Sequence, residues 1–264
     1  MTKERAIARH LHARRQGRVG PAILPATTTT FLEPDTDHTS DSGIWSPPAA
    51  TTASRQPPAR SRASFRGELF YDRANRTMVF ESRLEMDLAC ILMTDHRVVG
   101  IEDQPPEVEY VDPNGLRRGH TFDFRVTLFD GARIAIAVKP SSKIERSRIR
   151  EILSLIRLQV PDFADRFTVL AEDKITKSRA DAARTIIWAR RQRSQADIDV
   201  VAKVVSTLRG RLPIADLVRM AGIGPRGYVA TACLIDEGCL RLAGRGPIQP
   251  EAMVEPTQPP LRRH

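Results

Sequence analysis

His120-Thr121-Phe122-Asp123-Phe124-Arg125-Val126-Thr127-Leu128, the short stretch Phe129-Asp130-Gly131-Ala132, and Arg133-Ile134-Ala135-Ile136-Ala137-Val138-Lys139 read as one β-hairpin. Phe122, Phe124, Val126 and Leu128 alternate with polar side chains on the first arm, and Ile134, Ile136 and Val138 alternate on the second. Period-two alternation is the signature of a strand with one buried face. Opposed residues of an antiparallel pair share a face, so a one-residue slip would set core against polar side chains. A two-residue Asp130-Gly131 turn imposes that slip. A three-residue loop, Phe129-Asp130-Gly131, with Gly131 left-handed, avoids it. Asp123 is then expected opposite Ala137, with Lys139 as its diagonal neighbour at roughly 7–8 Å.

Outward from the hairpin, the pattern predicts an α/β unit. Residues 78–95 carry Leu84, Leu88, Ile91 and Leu92 at helical spacing, and residues 98–101 and 108–111 are expected as short strands. Residues 143–158 place Ile149, Ile152, Leu153 and Ile156 on one helix face, and residues 167–170 read as a buried strand. The remainder is helical: residues 179–193, 196–208, 213–221 and 225–237, with the Gly222-Ile223-Gly224 break giving helix–turn–helix spacing. Residues 239–242, a Gly244-Arg245-Gly246 turn and Ile248 are expected as a small wing. The domain expectation is therefore a disordered basic and Pro-rich tail over 1–64 and an α/β domain over 65–175. A helical domain over 176–250 and a loose tail over 251–264 complete it.

Composition narrows the partners. The 264 residues hold 41 Lys and Arg against 32 Asp and Glu, a formal net charge of +9, which favours a polyanion such as DNA. No apolar run is long enough for a bilayer, no signal-like segment follows Met1, and a cytoplasmic, membrane-free setting is expected. Cys90, Cys233 and Cys239 lack the spacing of a zinc site or disulfide framework. No phosphate-binding loop of the GxxxxGK[ST] type is present.

The hairpin carries chemistry-bearing residues. Asp123 is a hard oxygen donor for magnesium or manganese, the carbonyl of Val138 a further one, and Lys139 a point charge beside a phosphate. Glu85 lies at the border of the apolar face of the first helix, where it can meet the sheet. An Asp–Lys pair across a hairpin is, by itself, more often a surface salt bridge, and the order helix-Glu, strand-Asp, strand-Lys is what favours a site. Arg226, Arg241 and Arg245 in the helical half, and His120 beside the strand, are candidate DNA contacts. A protein-docking role for the helical half is the competing expectation.

Ser82-Arg83-Leu84-Glu85, Gln104-Pro105, His120-Thr121-Phe122-Asp123-Phe124 and Val138-Lys139-Pro140, in that order, resemble the amino-terminal domain of TnsA-like transposon endonucleases. These belong to the PD-(D/E)XK nuclease superfamily. The resemblance covers about residues 65–172. It implies a restriction-endonuclease-like mixed sheet flanked by helices, followed by a small winged-helix-like domain. It also implies catalytic Glu85, Asp123 and Lys139, a magnesium cofactor, and DNA cleavage beside a transposase and an AAA+ regulator. Gln104 is expected to be architectural. Phe122 stands where the family has proline, and Ala137 where it has Glu or Gln; a methyl group cannot ligate an ion. Glu151 and Glu145 are the candidate compensating carboxylates. Ala137 leaves open a catalytically degenerate nuclease-fold protein that binds DNA or assembles a complex, and the helix–turn–helix spacing leaves open a regulator.

Overall fold

The computed structural model describes residues 46–54 and 65–257; the basic stretch from Lys3 to Arg18 and the last residues of the chain lie outside them. A hairpin of β1 (Gly67–Tyr71) and β2 (Arg76–Phe80) leads into α1 (Arg83–Thr94). The helix begins later than the apolar periodicity predicts, because Met78 to Phe80 belong to β2 and Ser82 caps the helix. Ser82 Oγ accepts from the Glu85 N–H (3.2 Å), while the Glu85 carboxylate accepts from Ser82 Oγ (2.8 Å) and the Glu81 N–H (2.7 Å). That is a variant of the capping box: it satisfies the Glu85 N–H, which the helix would otherwise leave unpaired, and the N–H of Glu81 just before the cap.

Next come β3 (Val98–Asp103), β4 (Val108–Val111), β5 (Arg117–His120), β6 (Phe124–Leu128) and β7 (Arg133–Val138). The segment after β7 is two helices, α2 (Ser141–Ser147) and α3 (Ile149–Gln159), broken where Arg148 turns left-handed at φ 52°. β8 (Arg166–Leu170) closes a four-stranded sheet in the order β3-β6-β7-β8. Its first three strands run antiparallel, and β8 lies parallel to β7. The β6–β7 register pairs Phe124 with Ile136 and Thr127 with Arg133, and Gly131 sits at φ 84° in the connecting turn. The three-residue loop follows from the hydrophobic pattern, as expected.

The sheet is covered on both faces. Phe124, Val126, Ile136 and Val138 pack with α1 in one core, and Ala135 and Ala137 pack with Ile149, Leu153 and Ile156 of α3 in another. Phe122 belongs to the second core, not to the face of Phe124 as the alternation predicts. A bend at Asp123, whose N–H donates to the Ile136 carbonyl (3.0 Å), breaks the alternation between them.

The helical half holds α4 (Lys177–Arg191), α5 (Gln195–Thr207), β9 (Leu212–Pro213), α6 (Ile214–Ala221), α7 (Arg226–Asp236), β10 (Leu240–Leu242) and β11 (Met253–Pro256). Gly222 (φ 68°) and Gly224 (φ 63°) make the turn between α6 and α7, a conformation that side chains with a Cβ resist. The order β10-β11-β9 corrects two expectations. Residues 253–256 are the central strand of this sheet, with Val254 fully buried, instead of a loose tail. Ile248 is a core residue on the intervening loop, not a strand.

Part of the Pro-rich amino-terminal stretch is also placed. Ala49 bridges to Arg76, and Thr51 and Thr52 donate to the carboxylate of Asp103, which is fully buried. That carboxylate also accepts from Arg76 Nη1 (2.7 Å) and the Val79 N–H (2.8 Å). Burial pushes the Asp103 carboxyl up, and the Thr51, Val79 and Arg76 bonds outweigh it, so its pKa falls below the ordinary value. Few apolar residues are needed here; hydrogen bonds to one buried acid hold the segment. Among the described residues, no helix is long and apolar enough to cross a membrane.

Candidate functional site

The site lies where the amino terminus of α1 meets the beginning of β6 and the end of β7. Asp123, at the bend before β6, accepts the Val138 N–H on Oδ2 (2.6 Å). Its Oδ1 carries no hydrogen bond among the described residues. Burial pushes the Asp123 carboxyl up to about 7, and the charge of Glu85 adds to that rise. The Val138 N–H and the Lys139 ammonium oppose it, and Glu81 raises it further. The sequence-predicted set of Glu85, Asp123 and Lys139 is thus brought together. Like-charged carboxylates held in a desolvated place are destabilising; the helix cap accounts for Glu85, while Asp123 receives one hydrogen bond against that cost.

Glu81 was not anticipated. It immediately precedes the capping serine and sits four residues before Glu85; those two positions were the signal that could have found it. Glu145 and Glu151, the expected compensating carboxylates, are exposed on α2 and α3. Glu151 pairs with Arg148 and lines a surface hollow with Tyr110, Asp112 and Arg118. The carboxylates that act on Asp123 are Glu85 and Glu81. Glu145 and Glu151 miss the site because the left-handed turn at Arg148 splits the predicted helix, and α3 then directs Ile149, Leu153 and Ile156 to the sheet.

Ala137 is fully buried among the α3 contacts, so its methyl serves the second core. Across the other edge of β6, the pairing of Asp103 with Phe124 brings Gln104 alongside Asp123. The Gln104 N–H donates to the Asp123 carbonyl (2.9 Å).

His120, expected as a DNA contact, is half-buried with its ring edge-on to Phe122 at 4.7 Å. Burial, together with the Lys139 charge, lowers its pKa to about 4. It is therefore neutral near pH 7, and it is not a cationic clamp for phosphate.

The arginines of the helical half are exposed but engaged. Arg226 lies 3.3 Å from Asp197, and Arg241 lies 2.6 Å from Glu255. Arg245 is exposed on the β10–β11 loop, where its carbonyl accepts from Ser178 Oγ (3.4 Å).

The free Oδ1 of Asp123 and the carboxylate of Glu85 are hard oxygen donors, the class that suits magnesium or manganese. Among the described residues, no three His, Cys, Asp or Glu side chains form a metal-holding group. Two carboxylates with main-chain or amide oxygens remain compatible with an ion that keeps several waters. No family model matches this chain, and no curated protein matches it either.

Proposed function

We propose that this chain is a divalent-metal-dependent DNA endonuclease of the TnsA-like kind. The observation that carries the proposal is the convergence of Glu85, the Lys139 ammonium and Asp123, whose Oδ1 is unbonded among the described residues, where the start of α1 meets β6 and β7; burial and Glu85 hold the Asp123 carboxyl well above its ordinary value. Strongly perturbed acids next to a specific charge partner gather at catalytic sites. Support also comes from element order: α1, β3, β6, β7, α3 and β8 follow the helix-strand-strand-strand-helix-strand arrangement of restriction-endonuclease-like sheets. The α5-β9-α6-α7-β10-β11 order likewise resembles a winged helix.

Glu85, Asp123 and the Val138 carbonyl would hold magnesium or manganese. A bound ion would supply an activated water and neutralise charge on the phosphodiester. Lys139 contributes a fixed positive charge for the scissile phosphate, and the desolvated surroundings strengthen it. Asp123 must lose its proton to act as a ligand, so metal binding strengthens as pH rises. Neutral His120 leaves Lys139 without a neighbouring competing cation. Exposed Arg226, Arg241 and Arg245 would contact the DNA backbone, giving salt-dependent binding.

The test is nicking or cleavage of supercoiled and transposon-end DNA with magnesium or manganese, with and without a transposase and an AAA+ regulator. Wild type is expected to cut, and Lys139→Ala to lose at least roughly 100-fold. Equal behaviour of the two under every condition would sink the proposal.

A second function is favoured by two specific observations. Ala137 is packed as core, and both oxygens of Glu85 are already engaged by the capping box. On that footing the chain is a catalytically silent nuclease-fold protein that binds DNA or assembles a complex. It predicts DNA affinity indifferent to magnesium and to Asp123→Asn, measured by fluorescence anisotropy.

A further inference from the structure

Gln104 combines two unfavourable features at one position. Its side chain is 3% exposed, and its Oε1 has no hydrogen-bond partner among the described residues. Its backbone holds φ 41°, which a residue with a Cβ rarely adopts. A buried amide oxygen without a donor and a left-handed glutamine each destabilise a fold. Local structure does not need this side chain. The Gln104 N–H is bonded to the Asp123 carbonyl, and the Gln104 carbonyl accepts from the Ser54 N–H (2.9 Å). The main chain is thus satisfied, and a smaller or apolar residue would serve the turn into Pro105 equally well.

Asp123 immediately precedes β6, and the pairs Asp103–Phe124 and Phe124–Ile136 leave Gln104, just past the end of β3, and Ala137, on β7, on either side of it. Ala137 has no donor atom and packs in the α3 core. We infer that Gln104 Oε1 is an oxygen donor to the divalent cation held by Asp123 and Glu85, supplied from the end of β3 because the β7 neighbour of Asp123 has none. This rests on the metal-dependent reading above. An amide or carboxylate oxygen is a hard donor of the class that suits magnesium or manganese. Its unpaired state and its backbone strain are then features of a site that is satisfied only on loading.

The experiment uses the full chain without DNA, reading manganese affinity by calorimetry and apo-protein melting together. Wild type is expected to bind manganese in a manner abolished by Asp123→Asn. Gln104→Met should weaken that binding roughly 10-fold or more while leaving the apo melting temperature equal or higher. Gln104→Glu should restore an oxygen and recover most of the affinity. If Gln104→Met binds as wild type does, or if it only lowers the melting temperature, Gln104 is architectural and the inference is overturned while the metal site stands. If Gln104→Glu fails to recover binding, the donor role is likewise overturned. If wild type itself shows no Asp123-dependent binding, the metal-dependent function falls with it.

Discussion

Asp123 and Asp103 are both shielded acids within one sheet, yet their surroundings drive them in opposite directions. Asp103 receives hydroxyls, an amide and a guanidinium, and its pKa falls. Asp123 receives one amide and faces Glu85, and its pKa rises to about 7. A carboxyl whose folded pKa exceeds its unfolded value, about 3.9, binds its proton more tightly when folded. Its contribution to stability is present in acid and is lost as pH rises from about 4 to about 7, a swing of at most roughly 4 kcal/mol. Asp123→Asn keeps an acceptor for the Val138 N–H and removes the charge. The variant is expected to melt above wild type at pH 8 and close to it at pH 5, read by differential scanning fluorimetry. A variant that melts lower at pH 8 would mean that the ionised carboxylate is structurally required. Asp103→Asn has the opposite sign at neutral pH, because it removes the partner of Arg76 inside the core.

At the scale of elements, the segment of residues 46–54 behaves as a strap. Thr51 and Thr52 converge on Asp103, the last residue of β3, one position before Gln104, and Ser54 Oγ donates to the Pro105 carbonyl (3.2 Å). Replacing both Thr51 and Thr52 with valine leaves the shape nearly unchanged and removes two donors to a buried carboxylate. The expected loss is about 2–4 kcal/mol, measured by urea denaturation; a loss within 0.5 kcal/mol, the size of an ordinary surface change, would mean that Arg76 and Val79 suffice. Composition hid this strap, since Pro, Ala and Thr carry no hydrophobic period. The same blindness concealed β11: Met253-Val254-Glu255-Pro256 is too short, and too close to prolines, to stand out. The register of the hairpin was legible because two faces and a glycine turn admit one pairing, although Phe122 departs from its alternation. The start of α1 was legible too, in Ser82 and Glu85, although the apolar spacing before it pointed upstream.

Across the whole molecule, α4 joins the two halves. Ala180, Ala183 and Ile187 enter the core beneath the four-stranded sheet, while Ala189 enters the helical core. Arg190 fastens the junction: Nε and Nη2 contact the Asp236 carboxylate at 2.7 and 2.8 Å, and Nη1 donates to the Met93 carbonyl at 2.9 Å. The basic run at the end of α4 is engaged: Arg190 pairs with Asp236 and Arg193 with Glu237, while Arg191 lies over the Phe70 ring at 5.9 Å. Arg190→Ala leaves Asp236 with His96 alone among the described residues, at 3.4 Å, and should cost about 2–4 kcal/mol in urea denaturation; a loss below 1 kcal/mol would separate the halves energetically. The sequence by itself determined the α/β class, the hairpin register and the order of Glu85, Asp123 and Lys139, because periodicity and turn chemistry are local. The tertiary structure alone decided that Phe122 and Phe124 face different cores, that Glu81 stands in for Glu145 and Glu151 near Asp123, and that Gln104 is buried with an unpaired oxygen. Those outcomes depend on which surfaces cover each face of the sheet, and burial and charge coupling arise only between elements distant along the chain.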